Sequence, residues 1–200
     1  MNFIISFLFS FAGSCTPGTI NLSAVQLGLE KKGYLVRRLA IAAAIMEYIY
    51  AWLAVKFEKW LTSQPLVISN FELIAAIVMT TLGVLSLIAV SKPTAIVERF
   101  RNSGFIRGFI LGILNPLSMP YWIGVTAYLK SMQWINLDST LELHSYLAGV
   151  SVGVFTLLIL VGFLAKKVVS YIEHRKTQLM RFPGMLMIGL GMLAFVRYLT

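Results

Sequence analysis

The chain has 200 residues, of which 58% are hydrophobic and only 12% charged, and its mean hydropathy is +0.81. A soluble domain carries about 25% charged residues, so the composition excludes one and implies an integral membrane protein. The net charge of +9 does not mark a nucleic-acid binder. Its basic residues sit in short clusters between apolar runs, where they set topology and meet anionic headgroups.

Six apolar runs approach the length of about 20 residues that a helical span needs: 3–29, 39–56, 71–91, 104–129, 144–165 and 183–199. Only compact loops separate them, so the chain reads as one membrane domain over 1–200, with halves of about 1–100 and 101–200. All six are expected as α-helices, because strands would have to close a barrel and alternate with period two. The opening MNFIISFLFSFAGSC lacks the basic residues of a signal peptide, and its apolar run continues to Leu29. It reads as a retained first helix.

That helix is interrupted. Pro17-Gly18 falls in its middle, flanked by Ser14, Cys15, Thr16, Thr19 and Asn21. Proline removes a backbone donor, and glycine loosens what remains. Irregular backbone at membrane depth survives only where protein buries it or where it lines a wet cavity. A helix start after Pro17 would point backbone amides and a positive dipole end into the break, where a carboxylate could dock. Gln26, further along, reads as an interhelical hydrogen bond.

Helix two carries Glu47 at its centre, with no basic residue in the same helix core. A charge at the bilayer centre costs at least about 2.5–3.5 kcal/mol, so such a residue usually faces an interior cavity. There it could carry a proton or anchor a substrate ammonium. The competing role is a neutral acid hydrogen-bonded to a neighbouring helix as structural glue.

Helix four, GFILGILNPLSMPYWIGVTAYL, repeats the interruption at Asn115-Pro116, half a chain beyond Pro17. With three helices per half, the second copy enters the membrane in the opposite sense. Paired broken helices facing one midplane site, in an inverted repeat of three plus three, are a transporter pattern. Asn21 and Asn115 adjoin the two breaks, either lining a site or satisfying freed backbone groups. Helix five has Ser145, Gly149 and Gly153 at four-residue intervals, a close-packing face. The last run contains Gly184, Gly189 and Gly191, which leaves its ends open. Among the aromatics, Tyr48 and Tyr121 are candidates to line the pathway. Tyr50, Trp52, Trp122 and Tyr128 read as interface anchors.

Lys31, Lys32, Arg37, Arg38, Lys92, Arg99, Arg101, Arg107, Lys166, Lys167, Arg175, Lys176 and Arg181 all follow helices one, three or five. Lys56, Lys59, Lys130 and Arg197 are left on the other side. The bias makes the first set cytoplasmic and places both termini outside the cytoplasm, in a cell inner or plasma membrane.

The single cysteine excludes an intramolecular disulfide and a Cys-based structural zinc site. No phosphate loop, nucleophile elbow or zinc motif is present, and His144 and His174 lie at or beyond helix ends. The expectation is therefore no enzyme, no cofactor and no metal.

At TPGTINLSAVQLGL the sequence resembles the LysE/RhtB amino-acid exporter family. Pro17-Gly18 match the start of that family's Pro-Gly-Pro signature, with Thr19 replacing the second proline. The resemblance continues at Met46-Glu47, where the family has glycine followed by an acid. It also covers GFILGILNPLSMPYW, with Asn115-Pro116, and RFPGMLMIGLG near the end; helix three matches poorly. It implies a secondary exporter of amino acids or similar small metabolites, driven by the proton gradient. The implied partners are a small-molecule substrate and the lipid bilayer, without nucleic acid, and homo-oligomerisation stays open. The pathway would be Pro17, Gly18, Asn21, Glu47, Asn115 and Pro116, with Tyr48 and Tyr121. A rival is a membrane thiol-redox conductor of related architecture, which would use Cys15. Thiol exchange needs two thiols, and helix four offers Asn115 instead, so Cys15 reads as a small packing residue. A non-transporting assembly subunit is the third possibility; such a protein has little use for a central carboxylate.

Overall fold

The computed structural model describes residues 1–15, 18–61, 63, 70–89, 100, 102–115, 117–172 and 176–199. Among these residues the chain is helical, with no strand. The first bent pair is α1 (Asn2–Ser14) and α2 (Thr19–Leu29), followed by α3 (Gly33–Leu61) and α4 (Phe71–Ala89). The second bent pair is α5 (Gly104–Ile113) and α6 (Ser118–Ser131). It is followed by α7 (Thr140–Phe163), the short α8 (Ala165–Ile172) and α9 (Lys176–Leu199).

By length and hydropathy, Gly33–Trp60 within α3 and Thr140–Phe163 can each cross a membrane alone. The pairs α1–α2 and α5–α6 qualify jointly, bent by 79° and 67° at their breaks. Pro17 and Pro116, expected to cause those breaks, lie outside the described residues. The helices overrun the apolar runs at their polar ends: α3 is longer than 39–56 on both sides, and α9 begins ahead of 183.

Local signals explain the boundaries. Ser139 and Glu142 form a capping box at the start of α7, and Ser103 accepts from the Ile106 amide at the start of α5. At their far ends α2 and α6 finish alike, on a left-handed residue: Lys31 (φ 56°) and Gln133 (φ 57°). Each turn is closed by a bond from the next amide, Lys32 to Leu27 O and Trp134 to Leu129 O, both 3.0 Å.

Small residues set the packing. Gly149 and Gly153 bring α7 onto the backbone of α1 at Phe3 and Phe7, so helix five's small face is scaffold, as expected. Ser10 adds a 2.6 Å hydrogen bond to Val150 O. On the other side of the molecule Gly104, Gly108 and Gly112 let α5 lie against α3 at Leu35, Leu39 and Met46. In the pair α4–α9, a Cβ on Gly83 would come within 2.7 Å of Gly184 O. Gly184 and Gly191 of the last helix are thus seats for α4, whereas a Cβ on Gly189 would meet nothing within 4 Å.

Two apolar cores result. One joins α2, α3 and α7 through Leu27, Leu39, Ala43, Val154 and Leu158. The other joins α3, α6 and α7 through Ala51, Ala54, Trp122, Tyr146 and Val150. Ile41, Ile45 and Ile49, one turn apart on α3, are exposed and form one apolar face of that helix.

Candidate functional site

The site is built where α3 passes the second break. Glu47 sits mid-way along α3, and its two carboxylate oxygens are each claimed by a donor from α6. Ser118 donates to Oε1 at 2.6 Å, and the Trp122 indole N–H donates to Oε2 at 2.6 Å. Both donors are themselves buried, at 5% and 2% exposure. Ser118 and Trp122 are four residues apart, so one face of α6 presents both.

Asn115 extends this chain of bonds into the break itself. Its Nδ2 donates to Ser118 Oγ at 2.7 Å, and its Oδ1 accepts from the Leu117 amide at 3.4 Å. The amide thus accepts from backbone at the break and reaches the acid through one hydroxyl. Tyr50 caps the same break from α3, donating to Ile113 O at 2.9 Å. Beyond Trp122 the aromatic packing continues, edge-on to Tyr121 at 5.0 Å and to Tyr146 at 6.1 Å. The Tyr146 hydroxyl lies 3.0 Å from Thr126 Oγ1.

Tyr121 ties the second break to the first. Its hydroxyl donates to Phe9 O at 2.7 Å, and its ring lies against Gly13, filling the space a Cβ would need. At the first break Asn21 reaches back across the gap and donates to Ser14 O at 2.7 Å. Gly18 is the N-cap of α2 with extended backbone (φ −103°, ψ 179°), a conformation open to any residue. Its glycine identity is not demanded by the local backbone.

Of the sequence candidates, Glu47 and Asn115 are therefore joined through Ser118, and Tyr121 touches both assemblies. Tyr48 is placed elsewhere: its hydroxyl pairs with His144 Nδ1 at 2.5 Å, in an α3–α7 contact. Two expectations are overturned. Trp122 is not an interface anchor, because its ring is buried and its N–H is spent on Glu47. Cys15 is not a packing residue: it is exposed, with its thiol on Phe11 O at 3.3 Å. Ser118 and Trp122 were missed as site residues, though a signal existed. Asn115, Ser118 and Trp122 recur at helical spacing just after a break that faces an acid. Among the described residues no cluster of His, Cys, Asp and Glu could hold a metal ion.

The geometry is that of a half-buried acid bonded at both carboxylate oxygens to the second half of a bent helix pair, and similarity to known proteins bears on what it serves. The family described as LysE type translocator matches residues 11–197. The chain belongs to the LysE type translocator family. No curated protein and no solved structure matches it. As a LysE type translocator it is a multi-pass membrane transporter, from a family of transporters rather than enzymes.

Proposed function

We propose that this translocator exports amino acids or related small metabolites by alternating access, with the proton gradient as driver and Glu47 as the proton-bearing group. The observation that carries it is the double hydrogen bond from Ser118 and Trp122 to Glu47 beside the second break. A carboxylate that accepts two bonds at membrane depth is a site where proton uptake must rearrange its partners. Ser118 is bonded to Asn115, so that rearrangement reaches the backbone of the break.

A 3+3 inverted repeat is supported by the packing. The first half-helix of each bent pair lies on the long helix of the other half, α1 on α7 and α5 on α3. The second half-helices follow suit, α2 on α7 and α6 on α3, while α4 and α9 pair with each other. The matching left-handed turns that end α2 and α6 fit the same scheme. In this reading α4 and α9 are the remaining two of six spans, and both termini face away from the cytoplasm. The thiol-redox alternative gains nothing, since the chain holds one cysteine.

Purified protein in proteoliposomes, screened with amino-acid mixtures under an imposed proton gradient, tests the reading. Accumulation should depend on the gradient and should vanish in Glu47→Gln. Gradient-dependent transport that survives in Glu47→Gln would remove Glu47 from the mechanism.

A further inference from the structure

A buried cation lies away from Glu47. Arg107, in the first turn of α5, is only 6% exposed. Its Nε donates to Ser23 Oγ at 3.1 Å, and its Nη2 donates to Gln26 Oε1 at 2.8 Å. Both partners are on α2, the half-helix that follows the first break. Arg107 therefore clasps the second half of one bent pair to the first half of the other. The clasp stands apart from Glu47: Gly108, next to Arg107, packs at Leu39 of α3. From Leu39 to Glu47 the helix rises about 12 Å.

The face of α2 that Arg107 holds continues beyond its present partners. Ser23, Gln26 and Glu30 follow at helical spacing, and Gln26 Nε2 already donates to Glu30 Oε1 at 3.2 Å. Glu30 is at present paired with Lys32 at 2.7 Å. A slide of α2 past α5 by one turn, about 5.4 Å, would hand the guanidinium from Gln26 to Glu30. A buried guanidinium is poor value as mere glue, because an apolar residue of similar size is often no less stabilising. Two alternative polar seats one turn apart give it a use.

We infer that Arg107 is the gate latch of this transporter, a positioning residue that closes the path between α2 and α5 toward the face bearing Lys31, Lys32, Arg37 and Arg38. Ser23 and Gln26 hold the closed state, and Glu30 receives Arg107 in the open one. The inference rests on the carrier reading but not on Glu47's chemistry, so the two fail separately.

Cys15, exposed at the first break and the chain's sole thiol, is a built-in reporter. Its labelling by a membrane-impermeant maleimide is measured from the Lys31–Arg38 face in vesicles of known orientation. Arg107→Gln should raise the rate at least about tenfold, the equilibrium shift that follows loss of one charge-assisted hydrogen bond. Gln26→Ala, which keeps the cation, should raise it by a smaller factor. Glu30→Gln should lower it, because the open seat is lost. General loosening of the fold would move all three in one direction. Rates that shift together, or that stay at the wild-type value in protein of normal membrane abundance, overturn the latch. If Arg107→Gln fails to accumulate, the opposite signs of Gln26→Ala and Glu30→Gln decide. If these hold while Glu47→Gln keeps gradient-driven transport, the latch stands and the proton role of Glu47 falls.

Discussion

The two breaks are fastened in different ways. At the second, Asn115, Ser118 and Trp122 on one side and Glu47 and Tyr50 on the other knit α5, α6 and α3 into one polar cluster. At the first, the named ties are Asn21 to Ser14, within the same bent pair, and Tyr121 to Phe9 from outside it. One break is thus built into the long helix that bears the acid. Among the described residues, the other is tied by Asn21 within its own pair and by Tyr121 from its neighbour. The contrast fits the proposed division of roles, an acid held at the second break and a latch acting on α2 beyond the first.

Removing the acid should give the largest effect. Glu47→Leu leaves the Ser118 hydroxyl and the Trp122 N–H buried without their acceptor, at about 1–3 kcal/mol each. Loss of gradient-driven transport should be complete, and the melting temperature in detergent should fall. Glu47→Gln keeps acceptor capacity for one donor, so it should recover much of the stability and none of the proton coupling. Equal melting temperatures for the Leu and Gln variants would break the claim that the two donors depend on this side chain.

Trp122→Phe and Tyr121→Phe are neighbours that sharpen the contrast directly. The first removes a bond to a carboxylate and should slow transport by about 10- to 100-fold, a charge-assisted bond being worth roughly 1.5–3 kcal/mol. The second removes a neutral bond to Phe9 O, worth about 0.5–1.5 kcal/mol, and leaves Glu47 fully bonded. Its transport loss should be under about tenfold by that figure. Reversal of this order in the reconstituted system would mean that the first break, not the second, carries the acid's function.

The two bent helix pairs and the membrane class were legible in the sequence, because helix interruption and hydropathy are local signals. Gly149 and Gly153 were readable as scaffold for the same reason: small residues one turn apart have a single common use in membranes. What escaped depends on which helix faces which. Trp122 has the composition of an interface anchor, and only the placement of α6 against α3 turns its N–H to Glu47. Arg107 counted toward topology alone, since nothing nearby in sequence announces Ser23 and Gln26 as its partners. Tyr48 was a fair candidate beside Glu47, but adjacent residues on a helix point about 100° apart, and it faces His144 instead.

The seating of the half-helices gives a third test, on stability. A Cβ on Gly108 would lie 2.5 Å from Leu39 O, a backbone atom that cannot yield cheaply. Gly108→Ala should therefore cost about 1–3 kcal/mol as overpacking and push α5 off α3. In α6, Gly124 has nothing within 4 Å of such a Cβ, so Gly124→Ala should be neutral or stabilise by about 0.5–1 kcal/mol. Thermal melts of the two variants decide; a milder effect at Gly108 than at Gly124 would contradict the close seat of α5.

The smallest effect should separate the two asparagines that adjoin the breaks. Asn115→Ala removes a donor to Ser118 and an acceptor for the Leu117 amide together, and it leaves Ser118 free to turn away from Glu47. Asn21→Ala removes the bond to Ser14 O, whose carbonyl lies at the end of α1. A neutral hydrogen bond contributes about 0.5–1.5 kcal/mol, so Asn21→Ala should reduce transport by less than about tenfold. Asn115→Ala, which acts on the acid through one hydroxyl, should exceed it. The ratio of the two, measured at equal protein density in the vesicles, reports directly whether the breaks are unequal. If Asn21→Ala is the more damaging, the first break bears on the substrate itself, and the division between a fixed acid and a moving half-helix fails.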